Sequence, residues 1–266
     1  LVFLKLLGVR LRPAQPSRGL ISLSFAKGTE MGAHSIRAGA RIKGAVPFET
    51  LTETTVLPVM GEAYIKQPLS DCVSQRMTEI VNGLSKVHRI DGAPIPYQTT
   101  PVLIQDRAEP GGFDVFARSI DRALWIALLA PAAPNGTPQT GVNERARDAL
   151  GGGDSGAPSL LSVGLAPALK MPDLFEQVEI ATPVPVIWEI TTRSTGTWDT
   201  DYLTLEPIAG TDTTQGLTRP GTLRLPLPDG SLIWAPSNDV GVNPSAGVGD
   251  APPRLDDGER AARLIG

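Results

Sequence analysis

One cysteine and two histidines are the only thiol and imidazole ligands in 266 residues. Cys72 has no second thiol with which to close a disulfide or share a zinc ion, which suits a reducing compartment and the role of a small buried hydrophobe. His34 and His88 lie far apart in sequence, each without a second histidine or cysteine at ligand spacing. Aromatic residues make up 5% of the chain, and 24 Lys and Arg stand against 28 Asp and Glu with no block of one sign. That balance lacks the electrostatic footprint of a nucleic-acid binder. No apolar run reaches the length of a membrane span. Asp71, Asp91, Asp106 and Asp114 sit beside turn residues and form no alternating carboxylate loop for calcium. Neither a phosphate-cradling glycine loop nor a dinucleotide fingerprint is present, so no cofactor is expected.

Plentiful instead are 28 glycines and 25 prolines, which leave little room for long helices. With 41% apolar residues, the chain reads as globular and mainly β with minor α, as β-sandwich-like or meander domains with short helical segments. Residues 1–19 read as the end of an amphipathic helix and a linker, and 20–169 as a β-rich domain with a Gly/Pro-rich loop near 131–157. Residues 170–237 read as a second or inserted β unit, and 238–266 as loop and the start of a following segment, so that the whole is expected to be an internal fragment.

Alternation and β-branching predict strands over Leu20–Ala26, with Leu23 and Phe25 inward, a turn into a short strand over Ile36–Ile42, and short strands at Phe48–Thr50 and Glu53–Leu57. A polar strand is expected over Ala63–Gln67. Asp71–Leu84 fits either a strand or a helix of a few turns. Phe113–Ser119 and Ala123–Leu129 read as strands, the latter apolar on both faces and therefore internal to a sheet. Val142–Leu150 suggests one or two helical turns. Leu160–Leu165, Val184–Thr191, Tyr202–Leu205, Thr222–Leu227 and Leu232–Trp234 complete the strand candidates, with Asn238–Pro253 as loop. Pro226 and Pro228 mark a sheet edge, because a proline cannot donate to a ladder.

Gly153-Asp-Ser-Gly-Ala-Pro158 looks like the nucleophile turn of a chymotrypsin-like serine hydrolase, which would need His34 as base and Asp121 as orienting acid for Ser155. The interval from Asp121 to Ser155 is too short to hold the barrel strands such a fold places there, and a glycine loop is the simpler reading. Trp125 and Trp188 lie in apolar strand runs and read as core. Trp198 and Trp234 lie near turns; exposed and coplanar, they would favour a carbohydrate-binding β module.

Five blocks stand in one order along the chain. Phe3–Ala14 with Arg18-Gly19 comes first, then Ile36–Ala40 leading to Phe48-Glu49-Thr50, then Gly112-Phe113-Asp114-Val115 with Leu124-Trp125-Ile-Ala-Leu128. Val186-Ile-Trp188-Glu189 follows through Trp198 to Gly216-Leu217-Thr218-Arg-Pro-Gly221, and Pro252–Asp257 leads to Arg263–Ile265. Together they resemble the baseplate assembly family of contractile injection systems, relatives of phage baseplate J-like and tail wedge proteins. Cys72–Ile90 and Pro131–Gly156 match nothing in that pattern. The resemblance implies a non-enzymatic, oligomeric wedge subunit whose partners are other wedge subunits and hub or sheath proteins. It also implies assembly in the cytoplasm into a phage tail or injection particle, with no nucleic-acid partner and no direct membrane insertion. The motif residues are then structural.

Overall fold

A computed structural model describes residues 17–23, 32–88, 95–103, 112–152, 158–167, 183–193 and 200–266. Its strands are short, its helices few, and the fold is mainly β with minor α. Among the described residues the strands form one three-stranded and four two-stranded sheets.

The first strands build an arm. β1 (His34–Ile36) pairs antiparallel with β4 (Thr54–Val56), and β2 (Arg41–Ile42) pairs with β3 (Phe48–Glu49) further out on the same ribbon. Between the two pairings Gly39, at φ 77°, donates to the Thr50 carbonyl at 2.8 Å. The Thr50 hydroxyl donates to the Arg37 carbonyl at 2.7 Å and accepts from the Ala40 amide at 3.0 Å, closing the joint. Arg224 holds the base of the arm, donating from Nη2 to Thr52 Oγ1 at 3.1 Å and to the Glu53 carbonyl.

The next stretch gives the largest sheet. β5 (Met60–Pro68) is followed by α1 (Asp71–His88), β6 (Tyr97–Pro101), the one-turn α2 (Val115–Arg118) and β7 (Trp125–Leu129). The strand order is β6-β5-β7, all antiparallel. The other side of β7 is taken by the chain's last residues: the Leu128 amide donates to the Gly266 carbonyl and the Ile265 amide to the Leu128 carbonyl, at 2.8 and 2.9 Å. β7 is therefore internal, as its two-faced apolar pattern predicts, and Leu128, Leu129 and Ala130 are buried.

α3 (Gln139–Leu150), β8 (Leu160–Leu165), the hairpin β9 (Trp188–Thr192) and β10 (Asp201–Leu205), β11 (Gly221–Pro226) and α4 (Gly258–Arg263) follow. β11 pairs antiparallel with β8, so its alternation places Leu223 and Leu225 inward, and Leu227 just beyond it is buried as well. These leucines join Leu57, Leu128, Val142, Ala146, Leu150, Ile190, Leu205, Ile233 and Ile265 in one buried cluster, to which residues on both sides of position 170 contribute. Each such aliphatic side chain contributes about 1.5–3 kcal/mol by leaving water. α3 docks through Gly151 and Gly230, where a Cβ on Gly230 would lie 2.3 Å from the Arg147 carbonyl oxygen. α4 is capped by Asp257, whose carboxylate accepts from the amides of Glu259 and Arg260.

Several expectations change. Phe113–Ser119 is not a strand: the Asp114 carboxylate accepts from the Ala117 amide at 2.9 Å and caps a helical turn, a local bond that outweighs β propensity. Residues 17–23 have no strand pairing, and Leu23 is exposed rather than inward; Phe25 and Ala26 lie outside the described residues. Asp71–Leu84 resolves as helix, with Ser70 before it and Asp71 in its first turn, both favoured at helix starts. The helix expected over Val142–Leu150 begins earlier, at Gln139. Leu232–Trp234 reduces to a single bridge between Ile233 and Thr192. Val184–Thr191 narrows to β9, which begins at Trp188.

Candidate functional site

The densest polar chemistry in the described residues surrounds a lysine. β5 carries Lys66 through the middle of the three-stranded sheet, where its side chain is 1% exposed. Its ammonium donates to the Gly249 carbonyl at 2.9 Å and lies 3.5 Å from Asp121 Oδ2. It also sits 4.8 Å from the centre of the Trp125 ring and 5.5 Å from that of Tyr97, within range of cation–π attraction. Burial pushes the Lys66 pKa down, against the pull of the Asp121 and Asp250 carboxylates.

Asp121 is held in turn. It follows α2, next to Arg122 at φ 55°, and accepts from the Ser119 hydroxyl, the Ala123 amide at 3.1 Å and Trp125 Nε1 at 2.9 Å. Burial raises its pKa, but these hydrogen bonds and the Lys66 charge outweigh it and hold the carboxyl below its ordinary value. The indole is thereby fixed by one edge while its ring faces the cation.

Over this cluster runs the loop that precedes α4. Four side chains from β5, β6 and β10 donate to its backbone: Lys66 to Gly249, Tyr97 to Gly247, Thr99 to Arg254, and Tyr202 to Asp250 at 2.6 Å. Gly247, at φ 72°, has to be glycine, since a Cβ there would come within 2.8 Å of both Tyr97 Oη and Arg254 Cγ. Trp125 and Tyr202 meet at 6.3 Å between ring centres. Burial raises the pKa of both Tyr97 and Tyr202. Chemically the arrangement is a clamp. Its amine is engaged by a carboxylate, a carbonyl and two ring faces, and the enclosed side chain leaves no approach for a reactant.

The structure scatters the sequence-predicted residues. Phe48 and Glu49 lie on the arm, Phe48 pointing outward and Glu49 3.4 Å from Arg41, while Thr50 closes the arm's joint. Phe113 is half-buried beneath the Arg118 guanidinium at 4.6 Å, and Asp114 is the α2 cap. Trp188 packs half-buried on the main cluster, and Glu189 is exposed beside it. Gly216, Leu217 and Thr218 belong to a turn in which Gln215, Gly216 and Leu217 are successively left-handed. Asp212 ties that turn, accepting from the amides of Thr214 at 2.7 Å and Gly216 at 3.1 Å. Gly221 is buried, with Thr213 where a Cβ would go. Of the family-motif residues that are described, Trp125 alone enters the Lys66 cluster, which also takes up Asp121.

Ser155 and Trp198 lie outside the described residues, as does the chain before residue 17. Asp121, the acid a serine hydrolase would need, spends its carboxylate on Ser119, Ala123, Trp125 and Lys66, and His34 sits on β1 of the arm. Trp234 is half-buried and lines a shallow pocket of about 180 Å³ with Glu144, Arg147, Asp148 and Arg193. That lining mixes both charge signs. Among the described residues no His, Cys, Asp and Glu converge as a metal site, and no helix is long and apolar enough to cross a membrane. Lys66 and Tyr202 carry no sequence signal of their role beyond polar residues in strand runs, because their partners lie far along the chain. No protein-family model, curated protein or solved structure matches this chain.

Proposed function

We propose that this chain is a structural subunit that works through protein–protein contacts, a baseplate wedge component of a contractile tail or injection system. The observation that carries this reading is the arm. A two-stranded ribbon is marginal in water on its own, and this one turns apolar side chains outward: Phe48 is 47% exposed and Leu51 72%. Val46 at the tip is exposed as well. Among the described residues β2 and β3 pair only with each other, so a partner can add a strand to this ribbon while Phe48 and Leu51 fill its pockets. The arm also carries Phe48-Glu49-Thr50, one of the blocks that resemble baseplate wedge proteins, and such proteins act by docking on neighbours. The clamp and the main cluster hold the body rigid beneath the arm.

The test is co-purification of the tagged chain with the sheath, hub and wedge proteins of its own system. The wild type is expected to retain at least one of them and the Phe48→Glu, Leu51→Glu double variant to lose it at unchanged thermal stability. Equal retention by both, or specific labelling of Ser155 by a serine-directed phosphonate, contradicts the proposal.

A further inference from the structure

The chain contains two Asn-Gly pairs, Asn82-Gly83 and Asn135-Gly136, and the fold treats them oppositely. Glycine has no side chain to shield its backbone nitrogen from the carboxamide of the residue before it, so such a pair can close a ring on itself, and asparagine counts among the thermolabile residues. All four residues are exposed. What separates the pairs is the backbone. Gly83 lies inside α1, where its amide belongs to the helical hydrogen-bond ladder and the dihedral angles of Asn82 are fixed. Asn135 and Gly136 form the corner of a turn between β7 and α3, closed by one hydrogen bond from the Thr137 amide to the Pro134 carbonyl at 3.0 Å. Gly136 sits there at φ 83°, the left-handed corner that a type II turn reserves for glycine, and a Cβ placed on it would meet nothing within 4 Å. Among the described residues neither its amide nor the Asn135 side chain has a hydrogen-bond partner.

We infer that Asn135-Gly136 is a site of spontaneous deamidation and backbone isomerisation, an ageing reaction that the fold leaves open here and closes at Asn82-Gly83. Base takes the proton from the Gly136 amide, and the nitrogen attacks Cγ of Asn135. The new N–Cγ bond displaces the side-chain amino group, which recovers a proton and leaves as ammonia. Water then opens the succinimide ring. Cleavage at the N–Cγ bond gives aspartate in the original chain, and cleavage between the nitrogen and the backbone carbonyl carbon gives isoaspartate, with one methylene more in the main chain. Either product adds a carboxylate, charged at neutral pH, to the tip of the turn. The base of the loop stays clasped. Gln139 accepts there from the Ala133 amide at 2.8 Å and donates to the Pro131 carbonyl and to Asn143 Oδ1 at 2.9 and 2.8 Å, so the change is confined to residues 134–137.

Peptide mapping by mass spectrometry of the full chain, aged in mildly alkaline and in mildly acidic buffer, reads both sites at once. Asn135 is expected to show the amide-to-acid mass change, faster in alkali, and to split into aspartyl and isoaspartyl peptides of equal mass. Asn82 should convert at least about tenfold more slowly, because the helix has to open first. In denaturant the two sites should convert at comparable rates. A folded chain in which Asn135 stays intact, or in which Asn82 converts as fast, overturns the inference. So does a gap between the sites that survives denaturation, since the fold would then not be its cause.

Discussion

The arm formed by β1 to β4 and the sheet formed by β5, β6 and β7 are both antiparallel, yet they solve opposite problems. The sheet buries Tyr64, Ile65 and Lys66 at its centre, its one buried cation is matched by Asp121 and a carbonyl, and β7 pairs on its other side with residues 264–266. The arm exposes Phe48 and Leu51 and is joined to the body through Arg224. The apolar side chains left in water on the arm forgo about 25 cal/mol per Å² that burial would supply. The difference separates the part of the chain held by long-range contacts from the part that, under the proposed function, docks on a partner.

Substitutions can sharpen that contrast. The largest effect is expected at the clamp. Asp121→Ala leaves the Lys66 ammonium buried without its counter-charge and should cost about 3 kcal/mol in denaturant unfolding. The gap is pH-dependent with a definite sign. The folded-state pKa of Asp121 is depressed, so its contribution is complete above the unfolded value of about 3.9 and disappears as pH falls through the folded one. Wild type and variant should therefore converge in acid. Lys66→Met should change stability by only about 1 kcal/mol or less, since removing the cation leaves Asp121 still bonded to Ser119, Ala123 and Trp125. Phe48→Ser on the arm should shift stability by less than about 0.5 kcal/mol. A large loss there would mean that the arm belongs to the body.

Legibility in the sequence followed the range of the interactions. β7 was readable because burial on both faces leaves a continuous apolar run, and β11 because Leu223, Leu225 and Leu227 alternate with polar or proline residues. Phe113–Ser119 misled because a single capping carboxylate, Asp114, decides between strand and turn. The clamp was not readable at all. Lys66 meets Gly249 only after the chain has passed through six further strands, and nothing near Lys66 in sequence announces that contact. In the sequence Asp121 stands out only as the acid of a serine-hydrolase turn whose spacing already argues against that chemistry, and the fold gives it a lysine and an indole.

Amide hydrogen exchange, compared between the isolated chain and the chain mixed with the baseplate partners proposed for it, tests the central claim most directly. The account predicts that residues 34–56 gain strong protection on assembly while β5, β6 and β7 exchange as before. An arm that exchanges identically in both states would contradict it.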